Sequence, residues 1–516
     1  MKRFLARACG KIGRFFWSWG FLKFILWMVT LIIFFYVEED WRGARAWAAT
    51  KAEWEAKGES FDYNKLIPPP IPDDQNLGAI PLFRLEPYSK TDSNLGPVAL
   101  ILATKPDLGI VTGPGFPWPG SNSGGKWQGG ALPDMAKIRN FIAGQYAVAF
   151  KDKTPPGDSL AQYDTFYPFI ADLLAAARAR PLCRFNLDYS IYPPASRPLA
   201  LLVQQIRVSQ ILRIHALLAL DQHQPDLALE DIKTVHKLLS GAKSDPTLVG
   251  GLVAIGMISV NTPAIYDGLA LHAWNDAQLA ELEQTLGPIN FLADYQFDMR
   301  GMAVESTLNI DYLKNAPRSD IYRYYFGMSD SPPPALWNRI PALWPGGWWD
   351  QNKGQVATLA FNSLQCVDPQ AQQAFPEIEN KLQLQFQRAK ARWTAVAPWN
   401  LFSALMTPST GALHQFAQGQ VWVDETRIAC ALERYRLAHG VYPDSLDALA
   451  PAYIDALPHD IMTGAPYHYQ LRSDGTFLLY SVGWNQIDDG GKVVYEKENP
   501  ERLDYQQGDW VWPTPK

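Results

Sequence analysis

Few residues in this 516-residue chain have the types and spacing that chemistry needs. Gly120-Ser121-Asn122-Ser123-Gly124-Gly125-Lys126 fits GxxxxGK, a loop whose backbone amides cradle phosphate while the lysine reaches it. The next residue is Trp127, where the magnesium ligand should be Ser or Thr, and no strand leads directly into the loop. The segment therefore predicts no nucleotide. The chain has no HExxH, GxSxG, CxxC or GxGxxG, which removes the common zinc, nucleophile-elbow, redox and dinucleotide signatures. Its 8 histidines are scattered. His215, His236 and His272 fall in predicted helices and read as packed or surface residues. Arg300 and Glu305 could pair along a helix, as a structural salt bridge or as part of a site. A pair of acids for glycoside hydrolysis cannot be singled out from the many carboxylates without geometry. No catalytic residue and no cofactor-binding residue is assigned.

The elements that must position any site begin with the clearest feature of the chain. Met1–Lys23 carries Lys2, Arg3, Arg7, Lys11, Arg14 and Lys23 and no acid. An apolar run, Phe24–Val37, follows and stops at Glu38-Glu39-Asp40. Extended back through Phe21 and Leu22, it reaches the lower length for a membrane span. Phe15, Phe16, Trp17 and Trp19 precede it, and Tyr36 and Trp41 close it, as aromatic belts do. The basic flank predicts a cytoplasmic N-terminus with the rest of the chain outside, in a bacterial inner membrane crossed once. A cleaved signal peptide is the rival, but acids follow the apolar run where a small-x-small site belongs. The expected divisions are a basic tail at 1–20, a transmembrane helix at 21–37 and a juxtamembrane stalk helix at 38–64.

Composition is globular, with 47% hydrophobic and 19% charged residues. The net charge is −6; setting aside the +6 of the first 23 residues leaves −12 on the exported part. An acidic ectodomain argues against nucleic acid as a partner. Of the 4 cysteines, Cys183, Cys366 and Cys430 lie beyond the span. They allow one disulfide but imply no framework, and their spacing fits no zinc site.

Residues 65–130 read as a Pro- and Gly-rich linker and loop region. Pro68-Pro69-Pro70 and Pro72 forbid helix, and Asp73-Asp74-Gln75-Asn76 reads as a turn and cap. Val98–Ile110 could hold a strand. Residues 131–408 read as mainly helical, with helices predicted at Leu132–Phe150, Ser159–Arg180, Ala200–Leu220, Asp226–Leu239, Gln351–Leu364 and Pro376–Val396. The pair around Gln222-His223-Gln224-Pro225 reads as a tetratricopeptide-like hairpin within an irregular helical domain. Pro246–Tyr266 has no charge and invites a second span, but Gly250, Gly251, Gly256, Asn261 and Pro263 favour a helix buried on all sides. Tyr322–Asp350 is rich in Pro and aromatics, with Trp337, Trp344, Trp348 and Trp349, and could line a groove. A long helix is expected from Thr410 to His439. Gly440 suits its left-handed cap, and Pro443 follows. Tyr467–Leu471 and Phe477–Ser481 read as a hairpin about Ser473-Asp474-Gly475.

The stretch Ile428–Gly483 combines ALERYRLAHGVYPDSL, LPHD, GAPYHY and DGTFLLYSVG. It resembles the globular head of the major pseudopilins of type II secretion. That resemblance implies a small α+β domain over 409–516 and, in the loop after the second strand, calcium held by Asn485, Asp488 and Asp489 with backbone carbonyls. The anchor lies some four hundred residues away, so the head reads as a module borrowed by a tethered protein. The whole layout resembles uncharacterised bacterial membrane-anchored envelope proteins, which implies no activity. The expected fold is mainly α: a transmembrane helix, an irregular helical ectodomain and a small α+β head. The expected function is a non-catalytic envelope scaffold, tied to a type II secretion or type IV pilus-like system, with the lipid bilayer and envelope proteins as partners. A periplasmic hydrolase with its site between the helical domain and the 322–350 loop is the alternative.

Overall fold

The computed structural model describes residues 19–83, 129–150, 154–194, 197, 200–316, 344–391, 411–498 and 503–514. The basic tail, the Val98–Ile110 strand and the Gly120–Lys126 loop lie outside them.

The chain is mainly helical, with a small sheet part near its C-terminus. Helix α1, Trp19–Ala56, runs without a break from the apolar segment into the body, and it fits a single-pass membrane anchor. No residue of its apolar window is buried, while Glu39, Gly43 and Trp54 further along are. The juxtamembrane half is thus a packed element and does not stand free as a stalk. The proline linker after it is not fully extended, because short 3-10 turns form at Tyr63–Lys65, Leu77–Ala79 and Pro81–Phe83. Asn76 pins it. Its Oδ1 accepts from Gly78 N at 3.0 Å and Arg184 N at 2.8 Å, and its Nδ2 donates to Arg184 O at 2.9 Å. The cap expected there from sequence is also a cross-link to a distant strand-like segment.

Helices α2 (Met135–Ala149), α3 (Ser159–Phe166) and α4 (Phe169–Ala179) follow. The single helix expected at Ser159–Arg180 is split at Tyr167-Pro168, since proline disfavours helix in the residue before it. Helices α5 (Ala200–Asp221) and α6 (Pro225–Ala242) form the expected hairpin, with Pro225 in the first turn of α6, where its missing N–H costs nothing. Thr247 caps α7 (Leu248–Ala270) through Gly250 N. It contains most of the uncharged segment Pro246–Tyr266 that could have been a second span, and adds the buried Asp267 near its end. It lies instead in the middle of the body, packed against α5 and α6 and against α9 (Phe291–Asn315) and α12 (Ala412–His439). Between them, α8 (Asp276–Leu286) opens with a reciprocal Asn275–Gln278 capping box.

Helix α10, Gly346–Asn362, begins inside the segment read as an aromatic loop. Trp348 and Trp349 are therefore helical and pack on neighbours. The short hairpin β1 (Val367–Asp368) and β2 (Gln373–Ala374) leads to α11 (Pro376–Ala391).

Helix α12 ends at Gly440, whose φ of 80° is the left-handed cap that glycine adopts without penalty. Strands β3 (His468–Leu471) and β4 (Phe477–Ser481) form the expected hairpin, and β5 (Val493–Tyr495) pairs with β6 (Leu503–Gly508). Strand β7 (Trp510–Trp512) joins the first pair in the antiparallel order β3-β4-β7. The sheet lies on α12, which packs on α7, α8 and α9 as well. The main apolar core runs from Trp54 to Trp512, and a second, smaller cluster of Ile310, Leu313, Trp349 and Val356 joins α9 to α10.

Candidate functional site

Among the described residues a cavity of about 300 Å³ opens where α7 and α12 meet the β3–β4 turn and the end of β7. That volume is at the lower end for sites that hold a small organic molecule. Tyr266, Leu269, Phe477 and Trp512 give it an apolar wall, and Thr476 and Thr514 lie on its lip. Tyr266 and Trp512 meet edge to face at 5.9 Å, tying α7 to β7 across the floor.

Glu433 is the buried charge of this cleft, 2% exposed, in the last turns of α12. Arg436, one turn on, donates through Nε to Oε2 at 2.8 Å and through Nη2 to Oε1 at 2.7 Å. His272 Nδ1 stands 2.7 Å from Oε1, and Tyr442 Oη donates to Oε2 at 2.9 Å. Burial resists ionisation of Glu433, but the bonds from Arg436 and His272 outweigh it and hold the carboxyl below its ordinary range. Four donors occupy about the four lone-pair positions a carboxylate offers. Such a group has no lone pair left for a nucleophile or a general base. The arrangement suits holding a ligand against a rigid polar wall. His272 reaches it because it lies outside the helix expected around it, at φ 50° just beyond α7.

The other candidates from sequence do not join this cleft. His215 sits between two acids, Nδ1 to Asp231 at 2.7 Å and Nε2 to Asp164 at 3.1 Å, clamping α5 to α6 and α3. Burial alone would lower its pKa, but the bonds to Asp164 and Asp231 raise it to about 9. His236 is buried with no hydrogen bond on either ring nitrogen, and burial pushes it down to about 4. Arg300 and Glu305 do not pair with each other. Five residues along a helix turn the side chains well apart. Arg300 binds Glu59 at 2.9 Å, and Glu305 takes the Tyr63 hydroxyl at 3.1 Å and pairs with Arg197, so both fasten α9 to the chain after α1.

In the loop proposed for calcium, Asp488 Oδ1 accepts from Tyr480 Oη and Gly490 N, each at 2.9 Å. Asn485 Oδ1 takes Ile487 N at 3.1 Å, and Asp489 Oδ2 faces Asn485 Nδ2 at 3.3 Å. Asp509, which the sequence reading missed, gathers the amides of Asp489, Gly491 and Lys492 and closes the loop. Among the described residues no three His, Cys, Asp or Glu side chains gather as a metal site. Cys183, Cys366 and Cys430 are all buried free thiols. Of the 322–350 segment, residues 344–350 are described, and Asp350 there pairs with Lys314 and Lys353.

One further acid cluster is structural in form. Asp460 accepts from Met462 N, Val482 N and Ser481 Oγ beneath the sheet, beside buried Asp424 and Glu425. Asp424 accepts from Gln420 Nε2 at 3.0 Å and Tyr467 Oη at 3.2 Å, and burial pushes it up to about 7. No family model, curated protein or solved structure matches the chain.

Proposed function

We propose that this chain is a non-catalytic, membrane-anchored binding protein of the cell envelope. It holds a ligand or a partner's side chain in the cleft between α7, α12 and the C-terminal sheet. On this reading residues 21–37 cross a bacterial inner membrane, the basic tail is cytoplasmic and the body is periplasmic, serving a type II secretion or type IV pilus-like system. The saturated Glu433 is the observation that supports binding over acid–base chemistry in this cleft, because an ionised carboxylate with its lone pairs occupied serves there neither as proton donor nor as base.

The cleft also lies at the end of the body remote from the anchor. Helix α9 ends near the base of α10, where Lys314 meets Asp350, and its start, Phe291, packs with Ile255 around Gly419. From Ile255, α7 continues away from Phe291 to Leu269 on the cleft wall. At 1.5 Å per residue the two runs together span at most on the order of 50 Å, so the cleft opens on the side of the body away from the anchor's exit.

The test is purification of the full chain from detergent-solubilised membranes, wild type beside Ala270→Trp, which projects a large ring into the cleft. Stoichiometric envelope partners that copurify with the wild type and are lost from the variant are the expected result. Partners retained by the variant would remove the cleft from the interface, and none with either chain would end the scaffold reading. Protease protection of the C-terminal sheet in spheroplasts would overturn the topology.

A further inference from the structure

We infer that the body has a second membrane contact of its own: the base formed by the end of α9 and the start of α10 rests in the headgroup layer of the bilayer that holds α1. The inference rests on α1 being an anchor.

Helices α1 and α10 run side by side in the same direction. Gly347 of α10 packs on Glu39 and Gly43, Gly354 faces Thr50, and the Phe361 ring lies 5.0 Å from that of Trp54. Their register puts the first turn of α10 level with residues 39–43, directly after the apolar run ends at Val37. The joint is polar and specific. Gly347 N donates to Asp40 Oδ1 at 2.9 Å, and Trp348 Nε1 donates to Glu39 Oε2 at 2.9 Å. The decisive contact crosses the boundary: the Trp348 ring meets that of Phe35 edge to face at 6.3 Å. Phe35 belongs to the apolar, lipid-facing half of α1. A body side chain therefore touches the anchor inside the span, and no spacer separates the body from the bilayer.

What lies at that level has the chemistry of an interface. Trp344 precedes α10 on its membrane side and meets Trp348 edge to face and Trp349 at a tilt, at 6.1 and 5.5 Å between ring centres. Helix α9 arrives antiparallel and ends there with Tyr312, Leu313 and Lys314, since Lys314 pairs with Asp350 while Gln296, near its start, bonds Leu364 O. Trp344, Trp348 and Tyr312 are half-buried, and Lys314 is a cation whose long stem suits the headgroup boundary. Tryptophan and tyrosine collect where an apolar ring and a polar edge both find partners, with lysine beside them. The partner this surface fits is the lipid headgroup and upper acyl region. Two attachments, α1 and the base, then fix the tilt of the body and hold the cleft pointing away from the membrane.

The test uses the full chain in nanodiscs of phosphatidylcholine and phosphatidylglycerol, with Cys9→Ser and one nitroxide at a time. Labels are placed at Trp344→Cys and Lys314→Cys in the base, Ile32→Cys in the span, and Val441→Cys at the far end. The readout is relaxation by oxygen, which concentrates in lipid, against a water-soluble nickel chelate. The expected order of the oxygen-to-nickel ratio is Ile32 highest, Trp344 and Lys314 intermediate and several-fold above Val441. Base labels that match Val441 while Ile32 reads as lipid would overturn the membrane contact and leave the anchor standing. A nickel-accessible Ile32 would overturn the anchor, and the contact with it. Lys314→Cys leaves the aromatic cluster intact, so a fold defect in Trp344→Cys does not decide the outcome.

Discussion

Gly43 of the anchor helix and Gly347 of α10 meet backbone to backbone, with no room for a side chain on either. Each would drive a methyl group into the other helix's main chain, Gly43 into the Gly347 carbonyl and Gly347 into that of Glu39. The close approach is what lets Glu39, Asp40 and Trp348 form their bonds. Gly43→Val should separate the two helices at a cost of about 1–3 kcal/mol, the range for overpacking a tight contact. The expected outcome is a lower melting temperature in detergent and faster proteolysis near residue 345, with α1 still inserted. Wild-type resistance to protease would show that the joint does not hold the body.

Glu433 is the shared acceptor for Arg436, His272 and Tyr442. In Glu433→Gln one oxygen becomes a donor that faces donors. Loss of a buried charged acceptor costs about 2 kcal/mol or more, because its partners stay buried and unpaired. The variant should melt lower, and hydrogen exchange should rise at the Gly440–Pro443 turn, where Tyr442 is anchored. Since the Glu433 carboxyl is held below its ordinary range, this contribution is present above the usual carboxylate pKa and is lost as pH falls through the depressed value. The wild-type advantage over Glu433→Gln should thus shrink in strong acid and hold at neutral pH.

The three buried thiols should be silent in the native protein. Burial raises Cys183 to about 12 and Cys366 and Cys430 higher still, so almost no thiolate exists at neutral pH. Peptides that contain these residues should carry no maleimide after labelling of the native chain, and full label after denaturation without reductant. Label that appears only after reduction would reveal a disulfide and contradict the free thiols found here.

The legible parts of this molecule were those fixed by local rules. Gly440 and Pro443 mark the end of α12, and Asp474-Gly475 marks the β3–β4 turn, because each demands a backbone state few residues adopt. The burial of α7 was legible only as a preference, since its charge-free stretch up to Tyr266 looks the same to lipid and to a ring of helices. Its glycines tipped the reading, and the packing of α5, α6, α9 and α12 around it decided it. The cleft was not legible. The four side chains of its Glu433 cluster come from positions 272, 433, 436 and 442, and only Glu433 and Arg436 carry a local signal as an i, i+3 pair. The packed juxtamembrane helix was missed for a related reason. Gly43 carries no local signal, and its role shows only with Gly347 opposite it.

Alkaline pH should loosen the body before it affects the anchor. His215 is raised to about 9 by the acids on either side, from an ordinary value near 6.5 in an unfolded chain. The folded state therefore binds the extra proton, and its stabilisation is complete below about pH 6.5 and lost as pH rises through about 9. Asp424 acts in the same direction over a lower window. Burial raises it to about 7, so its contribution is full below the ordinary carboxylate value and gone above about 7. Together they predict a melting temperature that falls in two stages between mildly acidic and strongly alkaline pH. The His215 stage is worth about 2–3 kcal/mol by linkage. Asp231→Asn removes the more buried of its two acids and should erase much of the upper stage, and it also takes out Asp231's own share of the lower one, since burial raises that carboxyl to about 6. A wild-type melting temperature that is flat from pH 6 to 10 would show that His215 is not held charged in the fold.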